Sequence, residues 1–177
     1  MLKGFSAPET DIRPLETRLL ENPSDYEARF QLLGYYSGKQ YSDKAAAKKL
    51  ATITLWLIDN MPDCGVIENW GCTGRELNQA AYEELKRHWL TQLEANNNNA
   101  RVIGCAAAYF GQEDEELAET LYQRAITLEP TISFWSRKLA FLLGLGGPER
   151  ALDALNAMRD AIRKEPEQNR QYYMLDD

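Results

Sequence analysis

The residues able to do chemistry in this sequence are few, and the first is a histidine. His88 follows Glu84 by four residues, a spacing that puts an imidazole beside a carboxylate on one helix face. Such a pair can pass a proton or begin a metal site. It is the one histidine of 177 residues, and no second histidine or cysteine pair joins it. No nucleophile-elbow motif is present either. The pattern points to a structural or half-buried histidine. The three cysteines, Cys64, Cys72 and Cys105, are an odd count, which suits free thiols better than a disulfide framework. Cys64 and Cys72 share one loop, where pairing is the less favoured alternative. Cys105 reads as a small buried hydrophobe. Five acids crowd residues 113–119, "EDEELAE", without the calcium-loop pattern; in the first turn of a helix they act on the helix dipole. "GLGGPER" has neither the lysine nor the spacing of a phosphate loop. Lys44, Lys48 and Lys49 form a basic edge that reads as a solvated face. The expectation is no catalytic residue, no metal and no cofactor.

Helices must position whatever function remains. Leu15, Leu19 and Leu20 recur on one face of 11–21, and Phe30, Leu32, Leu33 and Tyr36 on 25–37. Ala46, Leu50, Ile53, Leu57 and Ile58 do so on 43–60, with Ser42 or Asp43 as the cap and Pro62 just past the end. Residues 62–74, "PDCGVIENWGCTG", lose the period and read as a long loop. Thr73 and Glu76 form a capping box for a helix over 75–95, whose face carries Leu77, Ala81, Leu85, His88, Trp89 and Leu93. The asparagines 96–99 read as a turn, with Asn99 capping the next helix. Further helices are predicted over 100–110, 114–128, 133–144 and 148–163, the last opened by Pro148. No strand-period run of useful length appears, so the fold class is all-α with seven or eight helices.

One stretch has a fixed register. Val102, Cys105, Ala106, Tyr109, Ala118, Tyr122, Ala125 and Pro130 are separated by three, one, three, nine, four, three and five residues. Small residues let two helices approach closely, aromatics fill the wider gaps, and the proline ends the second helix. This register resembles the tetratricopeptide repeat, a helix–turn–helix of about 34 residues. Val102 stands where the family usually has tryptophan and Ala106 where it has glycine. The resemblance implies one domain over 1–177, a right-handed solenoid of antiparallel helix pairs. Its parts are a divergent repeat at 11–60, the loop at 62–74, the helix at 75–95, the strict repeat at 100–133, a degenerate or capping repeat at 134–165, and a tail at 166–177. In the degenerate repeat Trp135, Ala151, Leu155 and Met158 take packing positions, and Leu139 stands where a small residue is expected.

The family binds peptides or partner helices on its first helices. Carried over, the groove lining is Gln31 and Tyr35, then Ile103, Ala107 and Phe110, then Ser136, Arg137 and Ala140, with Tyr35 and Phe110 as the main anchors. Ile103, Gly104 and Ala107 occupy the positions where a carboxylate-gripping member carries lysine and asparagine, so the resemblance implies an apolar groove with Arg137 as its cation. Trp70 in the irregular loop either plugs back onto the helices or meets a partner. The expected function is a non-enzymatic scaffold or adaptor. The alternatives are a small chaperone or immunity-type protein masking one partner, and an enzyme on a helical-repeat fold. The net charge of −7 disfavours nucleic acid. The N-terminus, with two prolines and no apolar run, is not a signal pattern, and the apolar window at 50–61 is too short for a bilayer. The expected protein is cytoplasmic, monomeric or weakly dimeric, with a protein or peptide as partner.

Overall fold

The computed structural model describes residues 9–67, 74, 77–111 and 113–164. Among these it is helical without strands: α1 (Glu9–Glu21), α2 (Tyr26–Lys39), α3 (Lys44–Asn60), α4 (Gln79–Ala95), α5 (Ala100–Phe110), α6 (Glu115–Leu128), α7 (Ile132–Gly144) and α8 (Pro148–Arg163). The contacts divide the chain into two units, residues 1–97 and 98–177.

In the first unit, side-chain caps start three helices. Asp25 accepts from the Ala28 amide at 2.9 Å, Asp43 from Ala45 at 2.8 Å and Asn78 from Ala81 at 3.0 Å. The expected start of α4 moves: the helix opens at Gln79 behind Asn78, so Leu77 lies ahead of it. Thr73 and Glu76 lie outside the described residues. Helix α2 packs on α1 and α3, and α3 on α4. Leu32, Leu33, Leu50, Leu57, Ile58 and Trp89 are enclosed between them. On α1 the buried face is Ile12 and Leu15; Leu20, expected on it, is 83% exposed, because it lies off the three- and four-residue stripe that faces α2.

Glu16 ties three helices. Its carboxylate accepts from the Tyr36 hydroxyl of α2 at 2.5 Å and the Lys49 ammonium of α3 at 2.6 Å. Burial opposes its ionisation, but those bonds and the charges of Lys49 and Arg13 outweigh it, holding the carboxyl below its ordinary 4.5. Asp25 is held below its ordinary 3.8, first by the Ala28 amide and, against burial, by Arg18. A carboxylate with a depressed folded pKa contributes stability that is present above its unfolded pKa. That stability is lost as pH falls through the folded value. Urea midpoints are therefore expected to hold at neutral pH, start to fall as pH drops below those ordinary values, and keep falling through the lower folded ones. Glu16→Gln is expected to flatten that slope and to cost less than about 1 kcal/mol at pH 7, since Lys49 is half exposed. Identical slopes in the wild type and Glu16→Gln would remove Glu16 from this account.

In the second unit Asn99 caps α5, accepting from the amides of Arg101 and Val102. Asp114 caps α6, with Glu115 and Glu116 in its first turn. Pro148 opens α8. Among the described helices, α5 and α6 make the most extensive contact. Ala106, Ala118 and Ala125 are fully enclosed, and Tyr109 and Tyr122 are buried. Gly104 on α5 and Gly111, which caps its end, set the next contact. A Cβ added to Gly104 would lie 2.5 Å from Phe134 Cε1, and one on Gly111 would lie 3.3 Å from Phe141 Cδ2. Seven residues on α5 match seven on α7, so these two helices run side by side in the same direction. On α8 the buried positions are Ala151, Ala154 and Ile162, with Met158 half buried; Leu155 is 37% exposed, off the register expected for it.

Candidate partner-binding surface

Helices α3 and α4 leave an open groove of about 420 Å³ between them. Lys48, Ala51, Thr52 and Leu55 line it from α3, at the three- and four-residue spacing of one helix face. Ala80, Ala81, Glu84 and Leu85 line it from α4, and Leu77 and Asn78 add to the wall just ahead of that helix. The alanines matter because short side chains leave the space that longer ones would fill. Near Leu77 and Asn78 a glycine is required. Gly74 has φ 86°, and a Cβ there would sit 2.8 Å from the Ala81 carbonyl carbon and oxygen. Its carbonyl accepts from the amides of Leu77 and Asn78.

A polar tie holds α3 to α4 beyond the groove. His88 Nδ1 lies 2.6 Å from Asp59 Oδ1, and Arg87 Nη2 lies 2.9 Å from His88 Nε2. A guanidinium only donates, so Nε2 is the acceptor and Nδ1 carries the proton toward Asp59. Both ring nitrogens are thus engaged between protein groups. Among the described residues no cluster of three or more metal-ligating side chains occurs.

The residues expected to line a groove fall elsewhere. Ile103, Ala107 and Phe110 are fully buried, and Tyr35 is 7% exposed. The physical reason is visible at Gly104 and Gly111, where Phe134 and Phe141 of α7 lie on α5 itself. Tyr35 packs edge-on to Tyr36 at 5.2 Å and its hydroxyl accepts from Lys39 at 2.6 Å. These four lie in the core, where an open groove lining was expected. Gln31 is half buried beside Glu27, Ser136 and Ala140 are exposed, and Arg137 is half buried with its guanidinium 5.6 Å from the Phe134 ring. Trp70 lies outside the described residues. The groove residues drew no notice as a set in the sequence. Lys48 stood out as part of a basic edge and Leu77, Ala81 and Leu85 as part of one helix face, and the signal available for a groove was Ala51 with Ala80 and Ala81, small residues on two facing helices.

No protein-family model, curated protein or solved structure matches this chain. Among the described residues no helix is long and apolar enough to cross a membrane.

Proposed function

We propose that this chain is a non-enzymatic protein-interaction scaffold of helical-repeat type, acting in the cytoplasm, and that it receives an apolar face of a partner protein in the groove between α3 and α4. The groove carries the reading. Its apolar lining of Ala51, Leu55, Ala81 and Leu85 lies between a cation at Lys48 and an anion at Glu84. An open trough of this kind suits a helix or an extended segment, which is recognised by a row of apolar anchors between polar edges. Enclosed pockets that bury most of a ligand's surface are the usual form for small molecules. The like direction of α5 and α7, with α6 joined to both, supports antiparallel helix pairs stacked in the manner of the tetratricopeptide repeat.

A photo-crosslinking amino acid in place of Thr52 tests the reading in cells. It is expected to capture a discrete partner, and Ala51→Trp, which fills the groove, is expected to abolish the capture. The same crosslinker at the exposed Glu149 of α8 serves as control. Equal capture from both positions would put the partner elsewhere.

A further inference from the structure

The two walls of the groove share one register. The lining of α3 recurs 29 positions later, on and just ahead of α4: Lys48 is matched by Leu77, and Leu55 by Glu84. Beyond the groove Asp59 bonds His88 at the same separation of 29. Helices α3 and α4 therefore run side by side in the same direction. Two helices so placed leave a trough along their shared length, and the short side chains of Ala51, Ala80 and Ala81 keep it open. Its neutral polar side chains already serve their own chain. The Thr52 hydroxyl donates to the Lys48 carbonyl at 3.1 Å, and the Asn78 side-chain oxygen accepts from the Ala81 amide at 3.0 Å. Within a helix the backbone amides and carbonyls bond one another. An extended segment laid in this trough would thus bury main-chain groups with few partners, whereas a helix brings its own hydrogen bonds.

Two charges line the trough, Lys48 on one wall and Glu84 on the other, and both are exposed. In the shared register Glu84 lies seven residues beyond Lys48, about 10 Å along the axis. Among the described residues neither takes part in an ion pair. We propose that the occupant of the groove is a single amphipathic helix of a partner protein, a proposal that rests on the groove being that partner's seat. The helix carries an apolar face, an acid on the flank toward Lys48, and a base on the opposite flank about two turns away, toward Glu84. Size favours this occupant over a second copy of the chain. The α3 wall runs from Lys48 to Leu55, about two helical turns. A helix laid along that length covers far less than the roughly 800 Å² per side of a standard stable interface. None of these lining residues is among the positions carried over from the repeat family.

The test uses the full chain and the fluorescence anisotropy of labelled peptides. The probe is an acetylated, amidated peptide of about 18 residues, long enough to form a helix. It has leucine and alanine on one face, with one glutamate and one lysine on opposite flanks about two turns apart. One analogue has glutamine for both charges, a second has a central proline, and a third has lysine in place of the glutamate. Saturable binding of the probe is expected, at least about threefold tighter than the glutamine analogue, with the difference narrowing in high salt. The proline analogue should bind at least about tenfold more weakly. Lys48→Glu, at an exposed site, is expected to keep the fold by circular dichroism and to prefer the two-lysine analogue to the probe. Ala51→Trp should abolish binding of the probe; if binding survives, the peptide sits elsewhere and the proposal falls. Equal binding of the proline analogue overturns the helix in favour of an extended occupant. Equal binding of the glutamine analogue, or an unchanged preference in Lys48→Glu, overturns the charge pattern. Irradiating the purified chain with its crosslinker at Thr52 checks the remaining occupant, since a product of twice the chain mass seats a second copy there and overturns the partner helix. If this proposal is wrong while the groove is right, all four peptides are silent and capture from Thr52 in cells persists; equal capture from Thr52 and Glu149 brings down both.

Discussion

Phe110→Ala is expected to unfold the second unit rather than to weaken a partner. Phe110 ends α5 with no exposed surface, and its ring stands edge-on to Tyr109 at 5.1 Å. Its backbone carbonyl also accepts from the amides of Glu113 and Asp114, so the turn into α6 is built on the same residue. Truncation removes a whole aromatic ring from a packed interior, a loss of about 3–5 kcal/mol. That is a large share of the roughly 5–15 kcal/mol that holds a typical domain together. Urea and thermal midpoints by circular dichroism should fall sharply, and hydrogen exchange should place the lost protection in residues 98–164. Phe110→Leu, which keeps most of the volume, should recover most of the midpoint. An unchanged midpoint in Phe110→Ala would return Phe110 to the surface and restore it as a partner anchor.

The contrast between Ala118 and Phe110 shows what one sequence reveals. Ala106, Ala118 and Ala125 were legible because a fixed spacing of small residues has one physical use, the close approach of two helices, and all three are enclosed. The cap at Asn99 was legible, and that of α3 was narrowed to Ser42 or Asp43, because caps depend on neighbours within three residues; Asp43 is the one that caps. Phe110, Ile103 and Ala107 were misplaced for the opposite reason. Whether that face of α5 is open depends on helix α7, some thirty residues on, and on Phe134 and Phe141 meeting Gly104 and Gly111. No local pattern carries that. The cap at Asn78 went unread because the Thr73 and Glu76 pattern drew the expected start of that helix a few residues earlier. Arg29 gave no signal at all. A charged residue in an amphipathic helix reads as solvated, yet Arg29 is 5% exposed, with its guanidinium carbon 3.7 Å from the ring centroid of Trp56 on α3, 27 residues later.

The acid run shows the same division. Asp114, Glu115 and Glu116 serve the start of α6 as their positions suggested, whereas Glu119 reaches out of its helix to Arg150 of α8 and lies 3.8 Å from Lys138 of α7. A substitution on α6 can therefore act through its packed face or through that polar link. Testing the packing needs a position that has only the first.

Ala118→Leu meets that condition and is expected to destabilise the chain by about 1–3 kcal/mol. Ala118 has no exposed surface and lies on α6, whose contact with α5 is the most extensive among the described helices. Leucine adds three carbons where there is no room, so either its side chain leaves its preferred rotamers or the two helices move apart. Intrinsic helix preference barely enters, because alanine and leucine are both strong helix formers. Thr120→Leu is the matched control, the same residue placed two positions along on the exposed side of the helix. That variant loses only a hydroxyl bond to the Glu116 carbonyl, and surface changes of this kind stay within about 0.5 kcal/mol. The measurement is the difference in urea midpoints between the two leucine variants at constant m-value. Ala118→Leu well below Thr120→Leu supports a close α5–α6 contact made by small residues. Equal midpoints would mean that the helices stand far enough apart to accept a leucine, and the spacing that suggested the repeat would then have no packing behind it.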